Sequence, residues 1–174
     1  MQATKVVNLR ENQLGRRKVS QTIISLFVVI LMLVGCSSSD PVQEDLLNYW
    51  NNEILTLDAE ETKILDAYAS VTGDNYKNDE DVLKVLEEIT PKYKTLSEKI
   101  ESIRPETKEV KELHELYISA TNTQYNAFLQ LTSAIEKEDV NLVVEANEKI
   151  DTANKALRDF DSKLAELQVK HNIE

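Results

Sequence analysis

Beyond residue 35 this chain has almost no means of turning. It carries one glycine, Gly73, and three prolines, Pro41, Pro91 and Pro105. Strand connections rely on glycine, asparagine and proline at set positions. A many-stranded fold is therefore disfavoured, and a few long elements must account for the segment. The apolar residues repeat every three or four positions, as on one face of a helix. Asp40-Pro41 reads as a cap followed by proline at the first helical position. From there Leu47, Trp50, Ile54, Leu57, Ile64, Tyr68 and Val71 form a first stripe. A loop is expected at residues 73–79, around Gly73.

A second stripe runs through Val82, Leu86, Ile89, Tyr93, Leu96, Ile100 and Ile103, with Pro91 inside it. Proline lacks the N–H of a helical hydrogen bond and clashes with the preceding turn, so this helix is expected to bend or split at Pro91. Arg104-Pro105-Glu106 predicts a tight turn. A third helix then uses Val110, Leu113, Tyr117, Ala120, Gln124, Ala127, Leu131 and Ala134. After Glu138-Asp139, a fourth uses Val143, Ala146, Ile150, Ala153, Leu157, Phe160, Leu164 and Leu167. Four such segments on short links predict an all-α fold, an antiparallel up-down-up-down four-helix bundle over 41–174. A single long coiled coil is the competing arrangement, and the 73–79 loop argues against it.

Counting from the shared turns predicts an aromatic layer of Trp50, Tyr93, Tyr117 and Phe160. Glu61 and Gln124 occupy heptad positions otherwise filled by apolar side chains, and they are expected at similar heights facing Ala153. A lone buried carboxylate is costly, so a buried polar pair of Glu61 and Gln124 is the expected solution. Such a pair fixes register, as a buried asparagine does in a coiled coil. The other reading is a ligand-binding notch. On the register reading, Glu61→Leu should raise the melting temperature. Tyr49, Tyr76 and Tyr125 fall off the main stripes and are expected to widen the core faces, with a partner-binding patch as the alternative.

The first 35 residues differ in kind. Arg16-Arg17-Lys18 precedes an apolar run from Ile23 to Val34 that only Ser25 interrupts. The run is too short for a membrane span, which needs about 20 apolar residues. Basic, apolar and small residues follow in the order of a secretory signal. The run ends in Leu33-Val34-Gly35-Cys36. This tetrad resembles the lipobox of bacterial lipoproteins. The resemblance implies diacylglycerol transfer to the Cys36 thiol and cleavage between Gly35 and Cys36. Residues 1–35 are then a lipoprotein signal peptide, 36–40 a short tether, and the membrane a partner through the lipid on Cys36. Ser37 after the cysteine gives no inner-membrane retention cue, which favours a Gram-positive cell surface. The stretch before the apolar run is long for a signal of this class: either translation starts downstream or the extra residues are harmless. The remainder is generally similar to small helical lipoproteins of Gram-positive bacteria, with no specific family assigned.

Charge and chemistry narrow the function. Without residues 1–35 the chain holds 15 basic and 30 acidic residues. Such a surface repels nucleic acid, which is not expected as a partner. Cys36 is the single cysteine, so neither a disulfide framework nor a thiolate metal cluster is available. Of the two histidines, His114 and His171, neither follows a glutamate three residues before it, as the di-iron bundles require. His114 is expected on a helix flank. The acidic run 74–81 lacks the central glycine and closing glutamate of a calcium loop. No catalytic, cofactor-binding or metal site is expected. The sequence thus predicts a non-enzymatic, lipid-anchored interaction or spacer module on the extracytoplasmic face of the cell membrane, with a protein partner at the envelope. The alternative is a small-ligand receptor with a cavity near Glu61 and Gln124.

Overall fold

The computed structural model describes residues 40–173. The predicted signal peptide, Cys36 and the tether as far as residue 39 lie outside the described residues. Within them the chain forms helices and turns and no strand. The first of four helical rods joins α1 (Pro41–Asn48), a π-helical segment (Tyr49–Ile54) and α2 (Leu55–Ala69) without a break. A short 3-10 turn, Gly73–Asn75, leads to α3 (Asp79–Ser102). Then come α4 (Lys108–Glu136), of 29 residues, and α5 (Val140–Lys170), of 31.

Local chemistry sets the boundaries. The Asp40 carboxylate accepts the N–H groups of Val42 at 3.0 Å and Gln43 at 3.3 Å, so it satisfies donors that the first helical turn leaves unpaired. Asn78 does the same for Asp81 at the start of α3, and Asp139 for Asn141 and Leu142 at the start of α5. Gly73 supplies a left-handed residue, at φ +59°, where the first rod ends. Between α4 and α5 that role falls to Glu138, at φ +53°.

Two helices refine the sequence reading. Of the bend or split expected at Pro91, the split does not occur: α3 runs through it from Asp79 to Ser102. Pro91 and Glu87, whose carbonyl loses its usual donor, both stand on the exposed face, where water can take the vacant acceptor. In the first rod the π segment widens the turn, with i→i+5 hydrogen bonding. The neighbours Tyr49 and Trp50 are thereby both buried.

Each rod packs on the next, and the most extensive contact joins α4 and α5. Ala120, Ala127 and Ala134 on α4 and Ala146 and Ala153 on α5 are fully buried, which lets the two backbones approach closely. Tyr76 and Tyr125, off the heptad stripes, pack half-buried against the core. Two polar contacts fix α1. Its Asp45 carboxylate accepts Thr107 N–H at 2.7 Å, Thr107 Oγ at 2.6 Å and Glu106 N–H at 3.1 Å. Thr107, the N-cap residue of α4, makes no capping bond of its own, so a carboxylate from α1 caps α4. The second contact joins the two ends of the described chain. His171 Nδ1 lies 2.6 Å from Asp40 Oδ2, and Gln43 Nε2 donates to the His171 carbonyl at 2.9 Å.

Candidate functional site

The largest concentration of buried polar chemistry lies where the first rod meets α3 and α4. Glu61 of α2 is 1% exposed. One of its carboxylate oxygens accepts the Tyr93 hydroxyl of α3 at 2.6 Å, and the other accepts the Tyr117 hydroxyl of α4 at 3.0 Å. Three rods thus converge on one carboxylate, and both oxygens face donors. Burial and the Glu61 charge beside it push the Tyr117 phenol far above its ordinary range. Aromatic rings close the surroundings. Tyr93 meets Phe128 edge-on at 5.3 Å between ring centres, and Tyr117 stacks on Phe160 at 5.1 Å. Gln124, the expected partner of Glu61, is also buried, at 3% exposure.

The sequence placed Glu61 and Gln124 correctly in the interior but assigned Tyr93 and Tyr117 to a separate aromatic layer. Heptad counting follows Cα heights, whereas a tyrosine carries its hydroxyl well away from its own Cα. The signal was present in the sequence: tyrosine rather than phenylalanine at two core positions, on helices facing a core glutamate.

A second buried polar group differs from expectation outright. His114 is not on a flank but in the core, 3% exposed, with Nδ1 at 3.1 Å from the Tyr49 hydroxyl. The π segment buries Tyr49, and that gives the imidazole an interior partner. Burial holds His114 below the ordinary histidine range, Glu115 and the Ile100 carbonyl oppose this, and Arg104 reinforces it. Burial also raises the Tyr49 phenol far above its ordinary value.

The segment 74–81 uses its side chains in capping and turn contacts. Asn78 caps α3, and the Tyr76 hydroxyl donates to Asp79 Oδ1 at 2.9 Å. Burial and Asp79 push the Tyr76 phenol up to about 12. Among the described residues no cluster of three or more His, Cys, Asp or Glu is placed to hold a metal ion. No described helix is long and apolar enough to cross a membrane. Cys36, the predicted lipid attachment site, lies outside the described residues.

Two surface clefts stand apart from the Glu61 network. One, of about 530 Å³, runs over α4 and α5 beside Leu129, Gln130, Leu142 and Lys149. The other, of about 470 Å³, lies at the turn from α3 to α4 beside Ile103, Arg104, Lys111 and His114. Comparison of the chain with protein-family models, with curated proteins and with solved structures finds no match.

Proposed function

We propose that this chain is a lipid-anchored, extracytoplasmic lipoprotein whose helices form an antiparallel up-down-up-down bundle acting as a non-enzymatic interaction or spacer module at the cell envelope. The observation that carries this reading is the tetrad Leu33-Val34-Gly35-Cys36, with a capped helix starting only five residues beyond the cysteine, at Pro41. A tether of that length reaches about 15 Å at most, so lipidation would hold the helical domain close to the bilayer. Two acyl chains, at about 0.8 kcal/mol per buried methylene, would make the anchoring stable.

The contacts between ends support the up-down order. Asp40 and Gln43 meet His171, and Asp45 meets the turn between α3 and α4, so the start of the first rod sits beside the end of α3, the start of α4 and the end of α5. The spacer reading is favoured over a receptor centred on Glu61 and Gln124 because Glu61 gives both its oxygens to Tyr93 and Tyr117. A ligand entering there would have to displace two buried hydrogen bonds.

The test is intact-mass analysis and membrane fractionation of the wild type and Cys36→Ala in a bacterial host. Each is followed by affinity capture from solubilised membranes. A diacylglycerol adduct on Cys36, lost with processing in the variant, is the expected result. An envelope protein recovered only with the lipidated form would identify the partner. An unmodified Cys36, or a variant processed like the wild type, would overturn the lipoprotein reading.

A further inference from the structure

The cleft at the turn from α3 to α4 brings charges of both signs together. Several lysines along the helices are matched to carboxylates one turn away, as in Lys92–Glu88, Lys108–Glu112 and Lys155–Asp159. Arg104 and Lys111 are used differently. Arg104 Nη1 donates to the carbonyls of Glu101 at 2.5 Å and Ile103 at 2.8 Å, and Lys111 Nζ to the carbonyl of Glu106 at 2.8 Å. Backbone carbonyls hold these two cations in place.

Two carboxylates line the same cleft, Glu101 and Glu115. Glu101 is itself held, accepting the Asn122 amide at 2.5 Å. The wall between is apolar or neutral, from Ile103, Ile118 and the buried His114. A simple anion placed here would meet two carboxylates, and a simple cation would meet Arg104 and Lys111. A ligand with both charges joined by a short aliphatic link satisfies all four groups.

Position selects among zwitterions. Asp45 of α1 bonds the backbone of Glu106 and Thr107, next to Arg104, and α1 begins within a short tether of Cys36. If the lipoprotein reading holds, this cleft lies at the bundle end nearest the bilayer, within reach of headgroups. We propose that the cleft binds a phosphodiester bearing a primary ammonium, as in a phosphoethanolamine headgroup. Arg104 and Lys111 take the phosphate, and Glu101 and Glu115 take the ammonium. The phosphate prefers the arginine fork, which can donate two parallel hydrogen bonds. The zwitterionic preference also agrees with an acidic domain that repels anionic lipid. The chemistry of the cleft stands without the anchor; the membrane as the source of the ligand rests on it.

The experiment is NMR titration of the full chain in detergent, following the His114 imidazole and Ile118 methyl signals. The probes are glycerophosphoethanolamine, glycerophosphoglycerol, inorganic phosphate and dihexanoyl phosphatidylethanolamine. Saturable shifts with the ethanolamine probes are expected, at least tenfold tighter than with the glycerol ester or phosphate. Arg104→Gln and Lys111→Gln should each weaken binding about tenfold, the loss expected of one charge-assisted contact. Their circular dichroism should be unchanged, since both side chains are exposed. Tighter binding of the dihexanoyl lipid than of the free ester identifies the membrane as the source, and equal binding identifies a soluble ester. Absence of saturable shifts, or equal affinity for ethanolamine and glycerol probes, overturns the site. Intact mass of the same sample reports Cys36 lipidation, so failure of the anchor is read separately from failure of the cleft.

Discussion

Tyr93 and Tyr117 reverse the effect expected of removing Glu61. With a register-fixing pair in mind, leucine at this position should stabilise the core. In the structure it would leave two buried hydroxyls without their acceptor, each orphaned donor costing about 1–3 kcal/mol. Burial of the leucine side chain offsets about 1.5–3 kcal/mol of that. Glu61→Leu is therefore expected to lose roughly 1–3 kcal/mol in denaturant unfolding. The triple variant Glu61→Leu, Tyr93→Phe, Tyr117→Phe should recover most of the loss, because no donor is then stranded. A single variant more stable than wild type would show that the phenols find other partners. His114 gives a second residue-scale prediction, on pH. Its folded-state pKa lies below the ordinary 6.5, so as pH falls through 6.5 the unfolded chain takes up a proton that the folded chain refuses. Stability contributed by the neutral, buried imidazole is thus complete above that pH and declines below it. His114→Gln should flatten the dependence between about pH 7.5 and 5.5 relative to wild type, measured by urea unfolding at each pH. An unchanged slope would mean that His114 takes up protons equally in both states.

At the scale of elements, the helices and their junctions differ in how far the sequence discloses them. The stripes on α3, α4 and α5 match the buried residues closely, because a 3.6-residue period survives wherever a helix is regular. The π segment is hidden. It buries Tyr49 and Trp50 together, and the partner that Tyr49 meets is a histidine 65 positions away on α4. The cap of α4 is hidden for the same reason. Thr107 is a good local N-cap residue, yet the capping oxygen comes from Asp45, 62 positions earlier. Propensity describes neighbours in sequence and is silent about a carboxylate arriving from another rod. Asp45→Ala should cost about 1–3 kcal/mol, since it frees the Glu106 and Thr107 N–H groups together. Thr107→Ala should cost less, because Asp45 still reaches both backbone donors. Hydrogen exchange provides the local check: faster exchange at Glu106 and Thr107 in Asp45→Ala, with little change in the middle of α5. Uniform acceleration would mean that Asp45 supports the whole fold instead of one helix end.

For the molecule as a whole, the polar contacts concentrate where the described chain begins and ends. α1 is the first described helix, and its start is held to the last turn of α5 by Asp40, Gln43 and His171. The hydrogen bond from His171 is the main cause holding the Asp40 carboxyl below its ordinary 3.8. A carboxyl depressed on folding contributes stability that is present above its unfolded pKa and is lost as pH falls through its folded one. The clasp should accordingly persist at neutral and mildly acidic pH and open only below about pH 4, where protonated Asp40 also ceases to cap α1. His171→Gln removes the principal cause of the depression, so its acid-unfolding curve should fall less steeply below pH 3.8 than that of the wild type. Asp40→Asn should show the same flattening, with a lower stability at neutral pH from the weakened cap. Hydrogen exchange of α1 in His171→Gln locates the effect. Faster exchange from Val42 to Leu46, with α4 unaffected, would mark the clasp as what holds the start of α1, whereas unchanged exchange would assign that role to Asp45 alone.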